Sequence, residues 1–430
     1  MKATKEKKLA PIIRHKSFKD DWSQVLYGEI FKFHPTNSLS RAKLNYESGS
    51  IKNIHYGDIH TKFNSLLDAS SEVIPFINDD VDISKIKKES YCQIGDFVIA
   101  DASEDYNDIG KSIEIVNMGN QRLVAGLHTF LARPNKNKVV LGFSSFLLQS
   151  WHVRKQIMTI AQGTKVLSLS TSRLSGVKLI IPSLPEQQKI ASFLSKVDEK
   201  IAHLSKKKEL LEEYKKGVTQ KIFKQEIRFK ILNENGELVE PPKWEKRKLK
   251  DLAIRVTEKN TKNEYKLVLT NSAIKGIVSQ LDYFDKDIAN QNNLKGYYIV
   301  QKDDFVYNPR VSIHAPVGPI KRNKLSTGVM SPLYSVFRFK IDNLEFFEYY
   351  FETVYWHKYL RSVANIGARH DRMNILNDDF LKMPIPFPCE KERKKMSQFL
   401  SSIDKKLNAV DQQLSLAKEW KKGLLQKMFV

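Results

Sequence analysis

EQQKIASFLSKVDEKIAHLSKKKELLEEYKKGVTQKIF, residues 186–223, returns as ERKKMSQFLSSIDKKLNAVDQQLSLAKEWKKGLLQKMF, residues 392–429, with no gap between the two copies. Glu186, Phe193, Leu194, Asp198, Lys215, Lys216, Gly217, Gln220, Lys221 and Phe223 recur as identical residues. Both copies read as long helices. In the first, Ile190, Leu194, Val197, Ile201, Leu204, Leu211, Tyr214, Val218 and Ile222 fall mostly at alternating spacings of four and three, a heptad seam. In the second, Met396, Leu400, Ile403, Leu407, Val410, Leu414, Ala417, Trp420, Leu424 and Met428 form the matching stripe. Neither copy contains proline, and each follows one, Pro185 and Pro388, as suits a helix start. About 38 residues at 1.5 Å each make a rod of roughly 57 Å. An apolar stripe that long needs a partner, and the other copy is the obvious one. The alternative is two separate amphipathic helices, each packed on its own domain.

The repeat extends upstream of the helices. Trp22 in WSQVLYGEIF matches Trp244 in WEKRKLKDLA, with Glu29 opposite Asp251 and Ile30 opposite Leu252; Arg14 and Arg228 lie ahead of them. QIGDFVIA (93–100) matches QKDDFVYN (301–308), and both read as a tight turn before a buried strand. VAGLHTFLAR (124–133) pairs with VMSPLYSVFR (329–338). Two helical stretches carry Trp151-His152 and Trp356-His357, and both tryptophans read as core. Glycine loops follow, AQGTKVLSLSTSR at 161–173 and ANIGARHDRMN at 364–374. The expected class is α+β, in four parts. A first module spans 1–184 and a long helix 185–226; a second module spans 227–388 and a second helix 389–430. NENGELVEPPK (233–243) reads as a connecting loop. The modules diverge between these landmarks while the helices hardly change, so one part of the repeat does a shared job and the other does two different jobs.

A chain of 430 residues with 41% hydrophobic content is expected to form two or more globular domains. Its 71 basic against 49 acidic residues, net +22, favour a polyanionic partner, nucleic acid before anionic membrane. The two cysteines, Cys92 and Cys389, lie far apart with no metal-ligand spacing, which fits a reducing compartment, the cytoplasm. The first residues lack an apolar signal core, and no run of 18 apolar residues marks a membrane span.

As a set, the landmarks resemble one known family, the specificity subunit of type I restriction–modification systems. The resemblance covers nearly the whole chain. It rests on PSLPEQQKIASFLSKVDEKI with PFPCEKERKKMSQFLSSIDKKL, on EEYKKGVTQKIF with KEWKKGLLQKMF, and on GDFVIA/DDFVYN and GLHTF/SPLYSVF. The second helix start departs from the pattern, with CEKERKKM in place of PEQQKI. The resemblance implies two target recognition domains, each reading one half of a bipartite, interrupted DNA sequence. It implies long helices that pair as an antiparallel coiled coil with pseudo-twofold symmetry, space the readers and dock methyltransferase subunits, two of them. Restriction/translocase subunits would join through the methyltransferase subunits. S-adenosylmethionine, ATP and Mg²⁺ would be bound on those other subunits, with no cofactor in this chain.

Catalytic motifs are missing. The nearest string to an amino-methyltransferase loop is YNPR, Tyr307–Arg310, which lacks the second proline and the aromatic. There is no GxGxxG after a strand, no GxxxxGK[ST] and no HExxH. Basic loops are the candidate DNA contacts, because arginine can fork onto guanine while lysine and serine hold phosphates. In the first module these are Arg41, Lys43, His55, Tyr56, Thr164, Lys165, Ser170 and Arg173. In the second they are Arg310, His314, Lys321, Arg322, Asn323, Arg369, His370 and Arg372. On the long helices, Lys215, Lys216, Gln220 and Lys221, with Lys421, Lys422, Gln426 and Lys427, lie off the expected seam. Their recurrence makes them candidate docking residues for partner subunits. Two rival readings are a self-contained modifying enzyme and a coiled-coil scaffold with RNA- or protein-binding heads.

Overall fold

Each module is organised around one buried strand behind a tight turn. The computed structural model describes residues 9–283, 294–365 and 371–430. In the first module the strand is Phe97–Ala100, buried at every position. Gly95 takes φ +94° in the turn before it, and Asp303 takes φ +75° at the matching place before strand Phe305–Tyr307. The left-handed region suits glycine, and aspartate tolerates it better than most residues. Asp96 and Asp304 close the two turns by accepting the backbone N–H groups of Gln93 (2.8 Å) and Gln301 (2.7 Å). Each carboxylate is buried and also takes an arginine from the neighbouring strand, Arg133 on Asp96 at 2.7 Å and Arg338 on Asp304 at 2.6 Å.

Around these strands the modules share a frame. In the first, Phe31–His34, Thr129–Pro134 and Phe97–Ala100 are successive antiparallel neighbours in a five-stranded sheet. In the second, Ala253–Val256, Ser335–Phe339 and Phe305–Tyr307 repeat that order in a four-stranded sheet. Ser23–Leu26 pairs with Lys178–Ile181, and Glu245–Lys248 pairs with Pro384–Phe387 in the same antiparallel sense. Glu29 and Asp251 accept the N–H of Leu26 (2.9 Å) and Lys248 (3.1 Å), which gives the matched acids a local cause. Beyond the frame the modules differ. The first adds a four-stranded sheet including Lys52–Ile54 and Leu123–Ala125; the second adds the ribbons Leu269–Ser272/Gly276–Ser279 and Tyr298–Val300/Gly328–Met330. Residues 233–243, expected as a plain loop, include part of a hairpin in which Ile231–Leu232 pairs with Leu238–Val239 and Gly236 adopts φ +80°.

The long helices run Leu184–Phe223 and Glu390–Lys427. The chain divides into two compact units, residues 1–206 with 411–430, and residues 207–410. These bounds differ from the four parts expected from the sequence, because each module buries pieces of both helices in its own core. In the first unit, Ile190, Leu194 and Val197 share a core with Leu424, Met428, Phe429 and Trp22. In the second, Val218, Ile222 and Phe223 share one with Met396, Leu400, Ile403 and Phe346. Each such buried side chain contributes roughly 1.5–3 kcal/mol.

A buried carboxylate anchors the start of each long helix. Arg14 donates from Nε and Nη2 to Glu186, both at 2.7 Å. Arg228 donates to Glu392 at 2.6 and 2.9 Å, and the Trp244 indole N–H adds a third bond at 2.9 Å. Glu392 is wholly buried. Removing one partner of such a pair strands a charge in the interior, at a cost of about 3–5 kcal/mol. Arg228→Ala is therefore expected to lower unfolding stability by about that amount, against within about 0.5 kcal/mol for the exposed Arg255→Ala. Denaturant melts of both variants check this, and equal midpoints would refute it.

Candidate nucleic-acid interface

In both modules the loop after the Trp-His helix returns to the segment that follows the central buried strand. In the first module the helix is Trp151–Ile160, and Leu167–Ser168 then pairs with Ala102–Ser103. The Leu169 N–H bonds the Asp101 carbonyl at 2.9 Å. Gly163 holds φ +125° in this loop, where a Cβ would come within 2.0 Å of the Val166 oxygen. That turn leaves Thr164 and Lys165 exposed at the tip. Ser170 caps the short helix Thr171–Ser175, accepting the Arg173 N–H at 3.4 Å, and the exposed Arg173 reaches the Ile160 carbonyl at 3.4 Å. The segment alongside carries Glu104, Asp105 and Asp108, so this surface has mixed charge.

The second module makes the equivalent junction with arginines. Helix His357–Val363 is followed by a loop in which Arg372 forms a β-bridge with Arg310. Val311 N–H bonds the Asp371 carbonyl at 3.0 Å, and Met373 N–H bonds the Pro309 carbonyl at 2.9 Å. His314 is exposed in the adjacent turn, which Ser312 and Ala315 close by bonding each other's backbone. Arg369 and His370 lie outside the described residues. Thus Thr164 and Lys165 in one module and Arg372 in the other lie on the loop after the helix, while Arg310 and His314 lie on the segment that receives that loop, both pinned to the shared frame.

Several other expected contacts are engaged within the fold. Arg41 bonds the buried Asp58 at 2.7 Å, a carboxylate that Lys62 also holds at 3.0 Å. His55 is buried and caps helix Tyr56–Thr61 by accepting the Gly57 N–H at 3.1 Å. Burial, aided by the Arg41 charge, lowers its pKa and favours the neutral acceptor that the cap requires. Tyr56 packs against His55, His60 and His128, and Lys43 pairs with Asp80 at 2.7 Å. Arg322 is mostly buried among Asp303, Glu345 and Glu348; burial works against its charge, but these acids outweigh it. Asn323 is fully buried, and its amide bonds the backbone carbonyls of Val300, Gln301 and Ser326. His55, Arg322 and Asn323 are thus framework residues, a correction to their expected role. Lys321 is half-buried at a cleft edge. Trp356 is core as expected, but Trp151 is 57% exposed.

The helix positions also rearrange. Lys215 lies on the packed face, bonded to Asp404 (2.8 Å) and Glu352 (3.0 Å). Burial disfavours its charge, yet the two carboxylates raise its pKa overall. Lys421 makes the equivalent bond to Asp198 at 2.7 Å. These two lysines recur for an internal reason, which corrects the expectation that they serve docking. Tyr214 and Trp420, read as seam, are instead 54% and 50% exposed. Leu210 and Leu416, one turn earlier, are 52% and 65% exposed. One turn beyond stand Gly217 and Gly423, where an added Cβ would meet nothing within 4 Å. Leu210, Tyr214, Gly217 and Lys221 follow i, i+4, i+7, i+11 spacing and so line one helix face; Leu416, Trp420, Gly423 and Lys427 repeat it. The available signal was that Gly217 and Gly423 recur inside the last two turns of the helices, where glycine in a helix costs up to about 1 kcal/mol. Lys216, Lys221, Lys422, Gln426 and Lys427 are exposed, and Gln220 is half-buried with its carbonyl held by the Tyr355 hydroxyl at 3.2 Å.

These placements separate two kinds of arginine in the second module. Arg322→Ala is expected to lower the melting temperature. Arg310→Ala is expected to leave it unchanged and to weaken duplex binding. Calorimetry and fluorescence anisotropy on the same preparations check the contrast, and a loss of stability in Arg310→Ala equal to that in Arg322→Ala would overturn it.

Comparison with known proteins places this architecture. Residues 19–213 match the family description "Type I restriction modification DNA specificity domain". The chain is 24% identical over 348 residues to the Methanocaldococcus jannaschii sequence named for the MjaX specificity subunit of a type I restriction enzyme, covering 75% of each. It is 26% identical over 294 residues to the MjaVIII specificity subunit of the same organism, covering 64% of this chain and 66% of that one. The fold resembles the type I restriction–modification S subunit from M. genitalium, with a TM-score of 0.53 at 13% identity over 98% of this chain and 99% of the other. A chain of a solved type I R-M system gives 0.52 at 14% identity over 95% and 97%. No helix among the described residues is long and apolar enough to cross a membrane. The chain is thus similar along most of its length to specificity subunits of type I restriction–modification systems, with the family description itself matched over residues 19–213.

Proposed function

We propose that the chain reads a bipartite, interrupted duplex DNA target, one half-site per module. The observation that carries this is the matched junction in the two modules. The same frame presents Thr164 and Lys165 in one and Arg310, His314 and Arg372 in the other. An equivalent junction with unequal side chains suits two readers of different half-sites. Arginine can take guanine as a bidentate fork, while lysine and hydroxyls hold phosphates or single base edges. The long helices, as an antiparallel coiled coil with pseudo-twofold symmetry, would set the gap between half-sites. In cells carrying this gene with its methyltransferase subunit, methylome sequencing is expected to show a gapped two-part motif that vanishes on deletion. A continuous palindrome would refute the two-reader function.

The same reading includes docking of two methyltransferase subunits on the long helices, with restriction/translocase subunits joining through them. S-adenosylmethionine, ATP and Mg²⁺ belong on those subunits in this reading. The twin stripes Leu210-Tyr214-Gly217 and Leu416-Trp420-Gly423 support it. An exposed apolar pair beside a glycine notch suits a partner helix, whose carboxylates would meet Lys221 and Lys427. Gly217→Ala with Gly423→Ala is expected to stabilise the isolated chain by about 0.5–1 kcal/mol per site. It is expected to weaken methyltransferase capture, because the added methyl groups fill the notch. Pull-down and thermal melts together check the opposite signs, and unchanged capture would refute docking at this stripe.

A further inference from the structure

The second module carries a cleft that the half-site reading leaves without a role. It lies between the turn around His314–Pro319 and the segment Phe351–Arg361, with a volume of about 740 Å³. Among its described lining residues, His314, Lys321, His357, Lys358 and Arg361 are basic, and Glu352 is the sole carboxylate. Glu352 is paired with Lys215, whose Nζ sits 3.0 Å from it and is shared with Asp404 at 2.8 Å, and the basic lining side chains outnumber it. Lys358 and Arg361 are exposed and form no ion pair among the described residues. Burial and the Arg361 charge lower the pKa of His357, which leaves Lys321, Lys358 and Arg361 as the permanent charges. The floor is rigid, since Trp356 and Phe351 are buried and meet edge to face at 5.8 Å.

Uncompensated cations around a concavity concentrate a polyanion there. His314, which lines the cleft, lies four residues along the chain from Arg310 of the Arg310–Arg372 bridge. We propose that this cleft holds the phosphodiester backbone of duplex DNA flanking the bases met by the Arg310–Arg372 junction. The inference rests on reading the second module as a DNA reader. Such contacts fix register and add affinity without selecting bases. They also make Lys358 and Arg361 binding residues that the sequence pattern did not single out.

The test is the salt dependence of binding by the full chain to a long random-sequence duplex, followed by anisotropy. Each phosphate contact contributes about 0.9 to the slope of log affinity against log salt, so Lys358→Ala/Arg361→Ala is expected to reduce the slope by about 2. Lys358→Arg/Arg361→Lys, which keeps both charges, is expected to restore it. A slope equal to wild type in the alanine variant overturns the cleft assignment while leaving the half-site reading standing. A wild-type chain without duplex affinity overturns both. Inorganic phosphate is the control at constant ionic strength. Competition with duplex in the wild type but not in the alanine variant is the expected result. Phosphate binding that depends on Lys358 and Arg361 yet leaves duplex affinity unchanged would mean that a small anion alone occupies the cleft, so that the duplex assignment fails.

Discussion

The buried carboxylate at the start of each long helix is the constraint on which the rest of each module depends. Glu186 takes Arg14 and Glu392 takes Arg228, in each case through two short bonds. A buried ion pair adds little net stability, because desolvation offsets most of its Coulomb gain. Its effect here is geometric. The segment ahead of the module is tied to the helix that follows it, 172 residues away in the first case and 164 in the second. The strands Ser23–Leu26 and Lys178–Ile181, or Glu245–Lys248 and Pro384–Phe387, then pair just inside that tie. A module closed in this way can vary its interior loops without losing its attachment to the helices.

The second repeated pair works on the same principle deeper in the sheet. Asp96 with Arg133 and Asp304 with Arg338 lock the turn before the central strand to the neighbouring strand. The segment leaving that strand receives the loop after the Trp-His helix in both modules. A rigid support therefore carries the most divergent surface. This division suits a chain whose surface loops vary while their mounting does not.

The long helices show where pattern reading reached its limit. The repeat, the helix lengths and the general packed stripe were legible, because apolar spacing over ten turns leaves few alternatives. The exact stripe was not. Near the glycines, Tyr214 and Lys215 are adjacent, and an apolar residue is assigned to the seam by default. The packed face takes Lys215 instead, because Asp404 and Glu352 wait there to pair with it. Tyr214 is then turned outward, and so is Trp420 by the same exchange with Lys421. Charge on a packed face depends on residues far away in the chain, which local periodicity does not contain.

By itself the sequence determined that this protein is a repeat, that two long helices accompany two α+β modules, and which family its landmarks resemble. Each of these follows from local spacing or from identity between the copies. Which basic residues stay exposed and which are engaged within the fold was decided only by the tertiary structure. Arg322 and Arg310 are both arginines in turn-rich stretches, yet one is drawn among three acids and the other stands at an exposed bridge. Asn323 and His55 are spent on backbone groups. Lys358 and Arg361 emerge because the one acid among the cleft residues beside them is drawn to a distant lysine. Partner choice is a property of what folding brings within about 3 Å, the range of a hydrogen bond, and composition does not record it.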